Sequence, residues 1–498
     1  MCREIATLAS NASSLWGDAE AIATPNTDVF SFREIDALAA RFAGGLAARG
    51  LGRGDRVVLY LPNGWQWIVA YHAIARLGAV VVPANILLSP AEVRFMVTDS
   101  GARVLILPDE RVELIGAQVE LTVTPSGAPG TQAFDTLLGT EHRPPVDVDP
   151  ADLLAIAYTS GTTGTPKGVM LSHGNVATSV AHTATCHVRH ARDRVYSALP
   201  LPHVYGNVVM NACFLSGATL FVPSRFDAGD ALAAIAAKRI TLFEGVPTMY
   251  YQMLAHPAIN DADLSTLTRC TVGGQSMPTA KIDAVVKRFG CPLLELWGMT
   301  ELAGPAVSHS PYWPARHGSI GLPFPGTEVR LADLEHADQD APDGAAGELM
   351  VRGPLVTQGY WNRPEATRSA IDDKGWFATG DIARRDRDGY LFIVDRKKDM
   401  ILTAGYNVYP AELEQVIASH ADVSMVAVSG IPDEEKGELA HAFVVLRSGA
   451  TLTQDELIAY CRKHLAAYKV PRAVHFVADL PRTSSGKIMR RALRATDA

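Results

Sequence analysis

No two cysteines of this chain are separated by the two residues that a zinc knuckle or a thioredoxin-type redox pair requires. The six thiols, at Cys2, Cys186, Cys213, Cys270, Cys291 and Cys461, read as reduced and mostly buried groups. A basic excess is also missing. The net charge of -8 excludes a general nucleic-acid-binding surface, although a few local cations would still hold a small anion. Long apolar runs are missing too. The most apolar stretch, residues 65–88, is broken by His72, Arg76 and Pro83, so no membrane span is expected. The first residues, Met1-Cys2-Arg3-Glu4-Ile5, carry an acid early and no apolar leader core, which makes a cytoplasmic protein the expectation. Neither an internal repeat nor a low-complexity tract is evident. What is present is ordinary globular composition, 48% hydrophobic and 20% charged. Spread over 498 residues, it suffices for several cores and a deep ligand cleft.

The first part of the chain alternates strand-like and helix-like segments. Val57 to Leu61 reads as a buried strand, Asn63 is placed to cap a helix running to Leu77, and Val80–Val82 and Val104–Leu107 read as further strands. The rhythm returns at residues 219–222 (strand), 228–239 (helix), 241–244 (strand), 270–272 (strand), 278–289 (helix) and 293–296 (strand). Repeated strand–helix–strand units predict an α/β fold, with helix-covered parallel sheets. An acidic turn over residues 333–347 opens a β-rich stretch, with strands at 347–351 and 389–394. A compact α+β region follows, with Pro410 at a helix start, strand-like runs at 423–428 and 441–446, and a helix over 453–465. The expected division is residues 1–397 and 398–498.

The strongest local signal follows the strand-like run at 153–157. It reads Tyr158-Thr159-Ser160-Gly161-Thr162-Thr163-Gly164-Thr165-Pro166-Lys167-Gly168-Val169. Small residues let backbone N–H groups approach phosphate oxygens, the hydroxyls add donors, and Lys167 supplies a cation. Triphosphate binding is the physical expectation. The loop is not of the Walker type, because Thr165-Pro166 separates Gly164 from Lys167.

Further motifs then appear in order. They are Leu199-Pro200-Leu201-Pro202-His203-Val204-Tyr205-Gly206, Glu295-Leu296-Trp297-Gly298-Met299-Thr300-Glu301, Thr379-Gly380-Asp381, Asp395-Arg396-Lys397-Lys398-Asp399 with Gly405-Tyr406-Asn407-Val408-Tyr409-Pro410, and Pro481-Arg482-Thr483-Ser484-Ser485-Gly486-Lys487. Together with the glycine-rich loop they resemble the adenylate-forming superfamily, in its acyl-CoA ligase branch, over nearly the whole chain. The resemblance implies an AMP-binding N-terminal domain and a small mobile C-terminal domain. It implies ATP, Mg²⁺ and coenzyme A as co-substrates and cofactor, and a small-molecule carboxylic acid as the partner. The acid would be converted to an acyl-adenylate with release of pyrophosphate, and then to a thioester.

The chemistry explains why such residues are needed. A carboxylate, with a pKa near ~4, must attack an α-phosphate that is also anionic, so the repulsion has to be neutralised and the attack aligned. By resemblance Lys487 supplies that positive charge, Glu301 holds magnesium and Thr300 bonds phosphate. Thr159, Ser160, Gly161, Thr162, Thr163, Gly164 and Lys167 surround the phosphates. Glu295, Leu296, Trp297, Gly298 and Met299 surround the base, and Gly274 and Gln275 also belong to the nucleotide site. Asp381 and Arg396 reach the ribose. Lys398 is the expected pivot of a rotation that withdraws Lys487 and brings in the turn at Gly405 and Tyr406 to line a pantetheine tunnel. His203 closes the acyl tunnel, which Val204, Tyr205, Asn207, Gly273, Gly274, Gln275, Met299 and Ala303 line. Few charges fall in these segments, so the expected acid is a hydrophobic monocarboxylate, fatty or ring-bearing.

Two alternatives follow from the same resemblance. An amino-acid adenylation module would need an acid to hold the substrate amine, yet no Asp or Glu occurs between Asp193 and Asp227. Loading of an acyl carrier protein, whose phosphopantetheine arm equals that of coenzyme A, is not discriminated by local chemistry. Monomer and homodimer both remain open. His182, Cys186 and His190 share one helical face, but without a fourth ligand they do not make a metal site.

Overall fold

The structure is a computed structural model that describes residues 4–25, 28–139, 141–159, 166–403, 406–433, 435–482 and 488–493. The first sheet has seven strands, in the order Gln132–Ala133, Leu121–Thr124, Val104–Ile106, Arg56–Leu59, Val80–Pro83, Leu153–Thr159 and Lys167–Ser172. Its pairs are parallel except the last, a hairpin that sets Thr159 opposite Lys167. Val57, Val58 and Leu59 are all fully buried, which is why this strand is apolar without alternation.

The second sheet has nine strands and a parallel centre. Leu293–Met299, Arg269–Val272, Leu242–Gly245, Arg194–Ser197, Thr219–Phe221 and Glu20–Ala23 run side by side, with antiparallel strands at both edges. One apolar core joins the two sheets. The helix Trp65–Arg76 belongs to it and is buried from Trp67 to Arg76. A helix apolar all round is a core helix here, and Arg76 is neutralised by an ion pair with Asp36. No helix among the described residues is long and apolar enough to cross a membrane.

An antiparallel meander of four strands, Glu328–Ala332, Gly347–Arg352, Phe377–Arg385 and Leu391–Arg396, follows with a core of its own. Beyond it, strands Ile401–Thr403, Tyr406–Val408, Val423–Asp433, Gly437–Leu446 and Ala473–Phe476 form a sheet. Helices Pro410–Ala418 and Gln454–His464 pack on it through Leu413, Ile417, Leu457 and Cys461.

Two local expectations are corrected. Asn63 does not cap the helix Trp65–Arg76, whose N-cap is Gly64. Its amide instead spans to the chain at 199–201, donating to the Leu199 carbonyl and accepting from the Leu201 N–H, both at 2.9 Å. His190 does not share a helical face with His182 and Cys186, because the helix His173–Cys186 ends there and Val188 turns to a φ of 53°.

Candidate active site

The glycine-rich loop leaves the hairpin of the first sheet between Thr159 and Lys167, which the ladder holds opposite each other. Ser160, Gly161, Thr162, Thr163 and Gly164 lie outside the described residues, as do Gly405 and Lys487. Next to Lys167 the segment 359–361 docks on the hairpin edge, where the Trp361 N–H reaches the Gly168 carbonyl at 2.7 Å. This docking puts the Tyr360 ring 5.1 Å from the Lys167 ammonium. The Tyr360 hydroxyl donates to Glu301 Oε1 at 3.0 Å.

Glu301 sits on the short 3-10 turn Thr300–Leu302 that ends the strand Leu293–Met299. The residue is 8% exposed, and burial pushes its carboxyl upward, while Tyr360, Arg396 and Lys167 pull it down. A single buried carboxylate suits a hard divalent ion that takes its other ligands from water and phosphate, as Mg²⁺ does, with Lys167 and Arg396 left to face the phosphates. No cage of three or more His, Cys, Asp or Glu side chains exists among the described residues. Thr300 is half-buried at the start of the same turn.

The turn depends on backbone freedom. Ala303 has a φ of 55° and Gly304 of 128°, and the chain then folds back against Leu293–Met299 so tightly that a Cβ on Gly298 would lie 2.0 Å from the Gly304 carbonyl oxygen.

Asp381 is reached from two elements. Arg396 is its register partner in the meander, with Nε 3.2 Å from Oδ1. The Trp297 indole N–H donates to Oδ2 at 2.7 Å. The Asp381 carboxylate is therefore aimed by a strand pair and a ring, while the arginine head stays half in solvent. Trp297 packs with Leu302 and Phe324, so the same ring joins the meander core to this site. Glu295, two residues earlier, is 8% exposed and accepts the Gly318 N–H at 3.0 Å. Burial pushes its carboxyl up to about 8. Leu296 is buried in the main core, Met299 is half-buried, and Gly274 has a φ of 90° beside the half-buried Gln275.

The residues expected on the acyl side follow the carboxyl ends of the parallel strands Arg194–Ser197, Arg269–Val272 and Leu293–Met299 of the second sheet. His203 is the N-cap of the helix Val204–Ser216, its Nδ1 accepting the Tyr205 N–H at 3.2 Å. Gly206 abuts the preceding turn, where a Cβ would stand 2.3 Å from the Pro200 carbonyl oxygen. The Tyr205 hydroxyl is committed to a buried network with Glu244 Oε2 at 3.0 Å and Thr271 Oγ1 at 2.6 Å. Glu244 in turn pairs with Arg189, and both side chains are fully buried. The Asn207 amide oxygen accepts from the Tyr71 hydroxyl at 3.2 Å and from Asn211 at 3.0 Å. Val204, Gly273 and Ala303 are buried. Lys398 lies exposed just after the meander, and Tyr406 is exposed and stacked on Tyr468 at 4.7 Å.

Sequence reasoning passes over Tyr360 and the Arg189–Glu244 pair. Tyr360 stands beside Trp361 in a connecting segment, with no spacing to mark it. Glu244 carries a faint signal, since an acid inside the apolar run Leu242–Gly245 demands a buried partner.

A family model described as AMP-binding enzyme matches residues 10–361, and its C-terminal-domain counterpart matches residues 412–487. Feruloyl-CoA synthase of an Amycolatopsis species is 39% identical over 468 residues, 93% of each chain. A long-chain-fatty-acid–CoA ligase of Yersinia pestis is 37% identical, over 94% of this chain and 90% of the relative. Among solved structures, an anthranilate CoA ligase in complex with anthranoyl-AMP superposes with a TM-score of 0.92 at 27% identity, over 99% of this chain and 97% of the other. The chain belongs to the AMP-binding enzyme family, in its acyl-CoA ligase branch, and is an AMP-forming CoA ligase.

Proposed function

We propose that the enzyme activates a hydrophobic monocarboxylic acid and passes the acyl group to coenzyme A, using the residues gathered around Lys167, Glu301 and Asp381. The convergence of these three from separate elements, with Tyr360, Arg396 and Trp297 between them, is the observation that carries the reading. Lys167 and the loop it closes hold the triphosphate. Thr300 bonds phosphate beside Glu301. Asp381 accepts the ribose hydroxyls, oriented by Arg396 and Trp297. Glu301 would hold Mg²⁺, which when bound supplies charge neutralisation for the phosphates.

His203 stands at the head of the acyl segment, and the apolar side chains beyond it select the acid by burial. The two sequence relatives are named for a ring-bearing and a long-chain acid, which supports a hydrophobic substrate. Lys487 brings the positive charge that lets two anions meet, and residues 398–498 form the unit that moves about Lys398 between the two half-reactions. The protein works in the cytoplasm.

Pyrophosphate release over a panel of acids, with and without coenzyme A, tests this. Fatty and aryl monocarboxylates should release pyrophosphate, and dicarboxylates and amino acids should not. A preference for an amino acid, or release without any acid, would sink the reading. Release that turns over only with an acyl carrier protein would move the second step to a protein thiol.

A further inference from the structure

Arg490, on the helix Arg490–Leu493, meets three carboxylates. Its NH2 and Nε bond the two oxygens of Glu414 at 2.7 and 3.1 Å. Its NH1 lies 3.4 Å from Asp395 Oδ1 and 3.6 Å from Asp399 Oδ2. Asp395 is itself held on other sides, by the Arg396 N–H at 2.7 Å on Oδ1 and the Ala411 N–H at 2.8 Å on Oδ2. Its side chain is 1% exposed, so this is an interior junction and not a surface ion pair.

The junction spans the expected pivot. Asp395 precedes Lys398 and belongs to the strand Leu391–Arg396, whose next residue pairs with Asp381. Ala411, Glu414 and Arg490 all follow Lys398. Arg490 also stands three residues after Lys487. The segment around that lysine is closed at its base by the Arg482–Ile488 bridge and by the Met489 N–H on the Pro481 carbonyl at 2.8 Å. Ile488 packs with Leu480 and Leu493 beneath it. A continuous chain of contacts therefore runs from the base of the Lys487 segment through Arg490 and Asp395 to the Arg396–Asp381 pair.

We infer that Arg490, clamped between Asp395 and Glu414, is a positioning residue for acyl-adenylate formation: it fixes the base of the Lys487 segment against the strand that carries the ribose-side pair. The inference rests on the role proposed for Lys487. A lysine ammonium rides on four rotatable bonds, so its place depends on where its backbone is held, and a misplacement of about 1 Å costs roughly 10²-fold in rate. In the rotation about Lys398 proposed above, Ala411, Glu414 and Arg490 belong to the moving unit and Asp395 does not. The junction belongs to the arrangement described here, and the thioester step does not need it.

The test measures both half-reactions separately in the full-length enzyme, as acid-dependent pyrophosphate release and as thioester formation from supplied acyl-adenylate. Arg490→Ala should lower the first by roughly 10²-fold and leave the second close to wild type. Arg490→Lys, which keeps the charge and loses the fork, should recover part of the loss. Asp395→Asn leaves the Arg490–Glu414 pair intact and should lower the first step by about tenfold, so it decides the matter if Arg490→Ala fails to fold. Equal loss in both steps, or an unchanged first step in Asp395→Asn, overturns the inference. Lys487→Ala is measured alongside. If it retains acyl-adenylate formation, the role of the lysine fails and this inference with it. If it alone loses the first step, only the positioning role of Arg490 is overturned.

Discussion

Replacing Glu244 by alanine should destabilise the enzyme by ~3–5 kcal/mol. The carboxylate lies fully buried between the Arg189 guanidinium and the hydroxyls of Tyr205 and Thr271. Truncation leaves Arg189 charged and enclosed without its partner carboxylate, and this uncompensated charge dominates the loss. Glu244→Gln keeps the shape but turns one of its two acceptor oxygens into a donor and removes the charge. It should cost ~1.5–3 kcal/mol, the worth of a hydrogen bond to a charged group. Arg189→Met combined with Glu244→Leu removes both charges and should regain most of what Glu244→Ala loses, because an apolar pair avoids desolvating two ions. Urea unfolding followed by tryptophan fluorescence gives the three free energies. The acid KM should rise in the single variants, since Tyr205 loses the acceptor that orients it at the head of the acyl segment. A Glu244→Ala enzyme within about 1 kcal/mol of wild type, or a double variant no better than the single one, would refute the reasoning.

Glu295 gives a pH signature. Burial raises its carboxyl from 4.5 to about 8, with the Gly318 N–H opposing. The folded chain binds this proton more tightly than the unfolded one. The resulting stability is complete below pH 4.5 and is lost as pH rises through about 8. Glu295→Gln should flatten that decline in unfolding midpoints taken across this window, and an unchanged slope would assign it to another group. Asp381→Asn weakens the pair with Arg396 and should raise the KM for ATP by about tenfold or more, the equivalent of ~1.5–3 kcal/mol. An ATP titration of pyrophosphate release reads this directly, and an unaltered KM would separate Asp381 from the ribose. Gly206→Ala forces a Cβ toward the Pro200 carbonyl and should cost ~1–3 kcal/mol with a poorer acid KM, read by thermal melting and initial rates.

The parallel sheets are legible in the sequence because strands buried on both faces, such as the run at Val57, are apolar without interruption. The expectation of phosphate binding rests on small residues and a lysine at fixed offsets, of which the structure describes Thr159 and Lys167. Asn63 misleads for a physical reason. An amide before a helix has the local signature of a cap, but its partners here lie 136 and 138 residues away. His190 misleads because the periodicity of the His182 helix says nothing of where that helix stops. Tyr360 and Arg490 are invisible for the same cause as each other, since their partners Glu301 and Asp395 are met only after folding. The Arg490 fork in particular reads as one more charge in a basic tail.

The amide of Asn63 grips two backbone groups of the segment ahead of His203, and Tyr71 with Asn207 braces the helix that follows it. If this segment lines the acid, as proposed, that part of the wall is already braced by hydrogen bonds before any ligand arrives. A longer or bulkier acid finds no hinge there to push open, so a change of acid preference has to come from altered side-chain volume along the wall.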